Sequence, residues 1–268
     1  MQFADKKREE ARQAGVAYGL EGRVALITGG GRNIGEAISL GFAGAGAIPV
    51  IMDLNLRDAE AVAHKVEVMG GRALALKVDV SNPQEVEAAV ARVARELGSV
   101  DVLVNNAAKF SELKYRDFAE IPLDEWRAVL EVNITGVFIC VRAVDPYMRA
   151  ARWGRIINIS SGTIRMGRPH FLHYVSSKSA LVGMGRSLAR ELGPFGVTVN
   201  TVLPGVAFTA LQQQRLDEAY RAFILRMQCI PQPMDASALA GPVVFLASEA
   251  AAFVTGQELA VDGGLTHG

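Results

Sequence analysis

The sequence predicts a doubly wound α/β fold, a seven-stranded parallel sheet flanked by helices, on three observations. From Arg23 onward, short runs rich in Val and Ile alternate with longer Ala/Leu/Glu/Arg segments of helical character, as a parallel sheet covered by helices requires. A glycine-rich turn joins the first apolar run to the first helical segment. No internal repeat, low-complexity block or linker interrupts the alternation, so residues 23–268 read as one domain behind an N-terminal extension, 1–22.

The expected strands are Val24–Thr28, Ile48–Asp53, Ala73–Asp79, Val100–Asn105, Arg155–Ser160, Thr198–Leu203 and Leu259–Asp262, with helical connections between them. Ligands bind beyond the carboxyl ends of such strands, so the residues that follow each run are the functional candidates. One stretch breaks the rhythm: Val206–Met234 mixes helix formers with an apolar set and ends in prolines that halt a helix. A long insertion at the ligand end of a sheet is expected to act as a substrate lid.

Composition narrows the partners. The 28 Lys and Arg balance 28 Asp and Glu, so no bulk attraction to nucleic acid or an anionic membrane is implied. Half the residues are hydrophobic, yet no apolar run approaches the roughly 18 residues of a membrane span. Cys140 and Cys229 are too few for a disulfide framework, which points to a reducing compartment. The first twenty residues carry mixed charge and no apolar signal core, and a cytoplasmic location is expected.

The run Thr28-Gly29-Gly30-Gly31-Arg32-Asn33-Ile34-Gly35 lies between a strand and a helix. Its glycines permit positive φ and close ligand approach, and the helix N-terminus favours negative charge, so its amides can cradle a pyrophosphate. The second strand ends in Asp53, eighteen residues after Gly35, where an acid can accept hydrogen bonds from ribose hydroxyls. A 2′-phosphate would be repelled there, which favours NAD over NADP; Arg32 and Arg57 are the cations that could offset the repulsion.

A second constellation lies further along. The run Arg155–Ser160 delivers Ser161 to the sheet edge, and Tyr174 and Lys178 share a helical face one turn apart. A phenol titrates near pH 10, so a neighbouring ammonium and a cationic nicotinamide are needed to make it a usable acid/base. Ser161 can hydrogen-bond a substrate oxygen as its charge changes.

This ordered set resembles the short-chain dehydrogenase/reductase family from about Arg23 to Gly264: TGGGRNIG at 28–35, Asp79-Val80, NNAA at 105–108, Asn133 in VNITG, Ser161, YVSSK at 174–178, Pro204-Gly205 and VDGG at 261–264. The resemblance implies a Rossmann fold, a homotetramer, and a proton relay of Asn133, Ser161, Tyr174 and Lys178. It implies a coenzyme held by Gly29, Gly31, Arg32, Asn33, Ile34, Gly35, Asp53, Asp79, Val80, Asn105, Asn106, Ala107, Tyr174, Lys178, Pro204, Gly205, Val206 and Thr209. Asn133 is expected to bend its helix and hold a water that links Lys178 to solvent. Two positions depart from the family pattern: Asn33 stands for a loop glycine, and Ala108 for the glycine that ends NNAG. Asparagine tolerates positive φ and alanine adds one methyl, so coenzyme binding is expected to survive.

The linker between Ser161 and Tyr174 carries Arg165, Arg168, His170 and His173, which are candidates to contact a polar or anionic substrate. The histidines lack a third ligand at metal-site spacing, so no catalytic metal is expected. The expected reaction is hydride transfer between a nicotinamide and a secondary alcohol or ketone, such as a sugar, polyol or cyclic alcohol. A 3-oxoacyl thioester reductase using NADPH is the alternative within the class. A non-catalytic nucleotide-binding regulator is the alternative outside it.

Overall fold

The computed structural model describes residues 18–208 and 218–267. Its centre is a parallel sheet of seven strands: β1 (Val24–Thr28), β2 (Ile48–Asp53), β3 (Leu74–Lys77), β4 (Val102–Asn105), β5 (Gly154–Ile159), β6 (Val197–Pro204) and β7 (Glu258–Val261). They lie in the order β3-β2-β1-β4-β5-β6-β7. The order reverses between β1 and β4, which opens a crevice at their carboxyl ends.

Each strand serves two layers. In β1, Val24 and Leu26 enter the apolar cluster on one face, and Ala25 and Ile27 enter the cluster on the other. The first face is covered by α3 (Pro83–Leu97), α5 (Gly136–Ala151) and α7 (Leu172–Leu192), through Val86, Val90, Val141, Val144 and Leu181. The second is covered by α1 (Asn33–Gly44) and α9 (Ala240–Ala247), through Ile38, Phe42, Val243 and Val244. Full burial of such side chains contributes about 1.5–3 kcal/mol each, which is why both faces of the strands read as apolar.

Local signals set the boundaries. Helix α3 opens with Asn82, whose side chain accepts from the amides of Gln84 and Glu85, followed by Pro83; it closes on Gly98 at φ 83°. Helix α2 (Leu56–Val68) is capped in the same way by Asn55, which accepts from Arg57 N. Between α4 (Leu123–Leu130) and α5 the chain runs through a π-helical segment, Glu131–Thr135, with Asn133 at its centre. This is the local form taken by the bend expected there.

Two expectations are modified. Residues 1–17 of the expected extension lie outside the described residues, but Leu20 is fully buried in the α1/α9 core and Tyr18 O accepts from Glu249 N. Of the expected lid, residues 209–217, including Thr209, also lie outside. The described remainder forms α8 (Glu218–Met227) and returns to the sheet edge, with Phe208 N donating to Met234 O and Ile230 N to Gly263 O. Among the described residues no helix is long and apolar enough to cross a membrane.

Candidate active site

A cavity of about 530 Å3 runs along the carboxyl ends of the central strands. That is within the range of small-molecule and cofactor sites. Asp53 lies on its wall at one end, and Ser161, Tyr174 and Lys178 line it further along.

At the Asp53 end the walls are mostly backbone. Gly29 has φ +60°, and Asn33, at φ +51°, occupies the left-handed region that its side chain tolerates. Gly35 admits no side chain: a Cβ there would sit 2.0 Å from Gly29 O and 2.7 Å from Asn106 Nδ2. Asn106 braces the loop, its Nδ2 donating to Thr28 O (3.0 Å) and Gly29 O (2.9 Å). Ala107 N and Asn106 N both donate to Thr28 Oγ1 at 3.0 Å. The α1 cap residue, Arg32, supplies no side-chain acceptor to the first helical turn. Those amides are therefore left to an anion, so the residues fit a dinucleotide pyrophosphate.

Asp53 is held by two amides: Gly31 N donates to Oδ2 (3.0 Å) and Asn55 N to Oδ1 (3.0 Å). Each oxygen keeps a lone pair for a ribose hydroxyl. Asp79, Val80, Pro204, Gly205, Val206, Ile34 and Arg32 also line the cavity. Arg57 does not. The Glu112 carboxyl is held below its usual range first by the Lys109 hydrogen bond and more weakly by the charge of Arg32.

At the other end, Ser161 lies two residues beyond the end of β5 and Tyr174 is the third residue of α7. Lys178 Nζ donates to Ile159 O at 2.7 Å, and the residue is 2% exposed. Burial without a compensating carboxylate brings its pKa down to about 8. Burial likewise pushes the Tyr174 phenol up to about 12; a hydrogen bond with Ser161 opposes this, nearby Tyr115 adds to it and Arg168 opposes it. Lys178 is not among the causes that lower it, which differs from the sequence-based expectation. Its Nζ lies 5.9 Å from the Tyr174 ring centroid, and its shown hydrogen bond goes to the backbone. Thr163 N donates to Ser161 Oγ at 3.3 Å, and the two hydroxyls are 2.9 Å apart.

Asn133, fully buried, accepts from Lys109 N through Oδ1 (2.8 Å) and donates to Ser177 Oγ through Nδ2 (3.0 Å). It thus ties the strand-β4 loop to α7, on the helix that carries Tyr174 and Lys178.

The four candidates of the 162–173 linker separate. Arg168 lines the cavity, whereas Arg165 pairs with Glu258 at 3.7 Å on the β7 edge. His173 is fully buried under the edge of Phe171, its Nε2 3.2 Å from Glu125 Oε1, and it does not line the cavity. His170 is exposed, at φ +60°, and borders an adjoining hollow. Sequence reasoning missed Phe110 and Phe171, whose ring centroids lie 5.0 and 4.8 Å from that of Tyr174. It also missed Thr163 and Met166. Phe110 lies in the loop after β4, Thr163 and Met166 bound the short helix α6 (Thr163–Met166) and Phe171 precedes α7; no sequence signal singles them out. Among the described residues no cluster of His, Cys, Asp and Glu could hold a metal.

A parallel sheet with this switch point, a glycine loop on a helix N-terminus and a Ser/Tyr/Lys set in one cavity defines a nicotinamide-type oxidoreductase scaffold. A family model described as enoyl-(acyl carrier protein) reductase matches residues 29–266. A 3-oxoacyl-(acyl-carrier-protein) reductase of Synechocystis is 36% identical over 92% of this chain and 98% of its own length. A protein designated a galactose dehydrogenase in Rhizobium meliloti is 35% identical over 92% of this chain and 96% of its own. A solved structure described as a short-chain alcohol dehydrogenase from Sinorhizobium meliloti superposes with a TM-score of 0.88 at 33% identity, covering 93% of this chain and 98% of that one. The chain belongs to the short-chain dehydrogenase/reductase family, oxidoreductases that act on CH–OH and carbonyl groups with a nicotinamide coenzyme.

Proposed function

We propose that the chain is an NAD(H)-dependent dehydrogenase of a small secondary alcohol, with Tyr174 as acid/base, Ser161 as the donor to the substrate oxygen, and Lys178 and Asn133 in the proton relay. The observation that carries this reading is one cavity lined by Ser161, Tyr174 and Lys178 with the Asp53 carboxylate further along its wall. Bound NAD supplies the hydride acceptor. Oxidation takes a hydride from the carbinol carbon and a proton from its hydroxyl; the proton goes to the Tyr174 oxygen, whose phenolate form the cationic nicotinamide of bound NAD would favour against the burial that raises its pKa. Ser161 hydrogen-bonds the same oxygen, and the Phe110 and Phe171 rings keep water from Tyr174.

Asp53 carries the coenzyme preference. Its negative charge favours two ribose hydroxyls over a 2′-phosphate, and the charge of the cavity-lining Arg32 is felt by the Glu112 carboxylate. The substrate is read as a sugar, polyol or cyclic alcohol, and the galactose dehydrogenase relative supports that class. We further infer a cytoplasmic homotetramer that pairs α5 and α7 of neighbouring subunits; Phe138 on α5 is 51% exposed.

The test is Tyr174→Phe. Turnover falls by roughly a thousandfold while NADH titration is nearly unchanged; retained turnover eliminates the mechanism. The rival reading, a 3-oxoacyl thioester reductase, is favoured by the Synechocystis relative. It predicts NADPH preference and activity confined to acyl thioesters.

A further inference from the structure

The adjoining hollow shares a wall with the catalytic cavity. It has a volume of about 320 Å3 and is bordered by Tyr115, Met166, Arg168, His170, Tyr220 and Phe223. Met166 and Arg168 line both spaces. Arg168 is therefore the charged group at the junction between them.

Its setting is unusual for an arginine. Of the other cavity-lining cations, Lys109 pairs with Glu112 at 2.8 Å and Lys178 donates to Ile159 O at 2.7 Å. Arg165, three residues before Arg168, is matched by Glu258. Arg168 has no carboxylate within ion-pair distance among the described residues. Aromatic rings hold it instead: its Cζ lies 4.5 Å from the centroids of both Tyr115 and Tyr220, and 6.0 Å from that of Phe171. Stacking uses the flat faces of a guanidinium and leaves its N–H edge for an in-plane acceptor. Tyr115 packs on Phe171 at 4.8 Å and Phe171 on Tyr174 at 4.8 Å, so one aromatic row links this cation to the acid/base.

We propose that Arg168 is a specificity-determining anchor for a carboxylate on the substrate, so that the enzyme works on a secondary hydroxy acid and its oxo acid. The proposal rests on the dehydrogenase reading above and narrows its sugar, polyol or cyclic alcohol to one that carries a carboxylate. A carboxylate fits better than a phosphate because one planar guanidinium offers a bidentate edge, and among the described residues no second permanent cation borders the hollow. The carbinol carbon meets Ser161 and Tyr174 while the acid group reaches the junction.

The experiment compares matched compounds on the purified full chain with NAD: short secondary hydroxy acids and aldonates, their methyl esters, and the corresponding alcohol phosphates. Wild type is expected to favour the free acids. Arg168→Met should lower the acid-to-ester ratio of kcat/KM roughly tenfold to a hundredfold, mainly through KM. Arg168→Lys should recover a part of the ratio, since it keeps the charge and loses the fork. Thermal unfolding and NADH titration of each variant check that the protein is folded. Equal use of acids and esters by wild type, a preference for phosphates, or a parallel loss on acid and ester in Arg168→Met overturns the proposal and leaves the dehydrogenase reading standing. Failure of every compound, charged or neutral, with both NAD and NADP strikes the dehydrogenase reading itself.

Discussion

At the Asp53 end of the cavity the walls are mostly main chain, whereas at the Arg168 end they are side chains drawn from separate loops and helices. The glycine loop is clamped by Asn106 to two carbonyls and by Gly31 to Asp53, at hydrogen-bond distances of 2.9–3.0 Å. The Arg168 end is held by ring contacts among Phe110, Tyr115, Phe171 and Tyr220. Backbone clamps recognise what every dinucleotide shares and fail when one methyl is added. Ring contacts can repack, so that end can change its substrate without loss of the fold.

The sharpest break of that comparison is Gly35→Ala. One methyl placed against Gly29 O should weaken NADH binding by more than about tenfold, read by fluorescence titration. The same size of change at the other end, Met166→Leu, should shift substrate preference only a few-fold. Similar losses from both would remove the distinction.

Lys178→Met separates stability from catalysis. Turnover should fall roughly a hundredfold or more. The folded-state pKa of Lys178, about 8, lies below its ordinary 10.5, so burial of the charge costs stability fully below pH 8. That cost disappears as pH rises towards 10.5. The variant should therefore be more stable than wild type near pH 7, by at most about 3 kcal/mol, and the advantage should shrink above pH 10. Calorimetry at the two pH values checks the sign.

Asn133→Ala leaves Lys109 N without its buried acceptor and should cost about 1–3 kcal/mol, with a fall in Tm and a lower kcat. The smallest effect is expected from Thr163→Val, which removes one hydroxyl beside Ser161: a kcat reduced by a few-fold, with NADH affinity unchanged.

The geometry of the Asp53 end was legible in the sequence because its requirements are local. Positive φ at Gly29, tolerated at Asn33 by its short amide, and an acid at the end of β2 are all readable from one stretch of chain. The Tyr174/Lys178 pair was legible for the same reason, through helical spacing. The substrate end was not. Arg165, Arg168, His170 and His173 look alike as neighbours in sequence, yet one pairs at β7, one is buried against α4, one is exposed and one enters the cavity.

By itself, then, the sequence determined which segments become strands, the glycine loop and the identity of the acid/base candidates, because periodicity and φ preferences act within a few residues. Tertiary structure alone decided the state of those groups. It buried Tyr174 and Lys178 enough to push their pKa values in opposite directions, and it brought Tyr115 and Tyr220, over a hundred residues apart, against one arginine. Desolvation and contact depend on what the rest of the chain packs around a residue, and no local pattern records that.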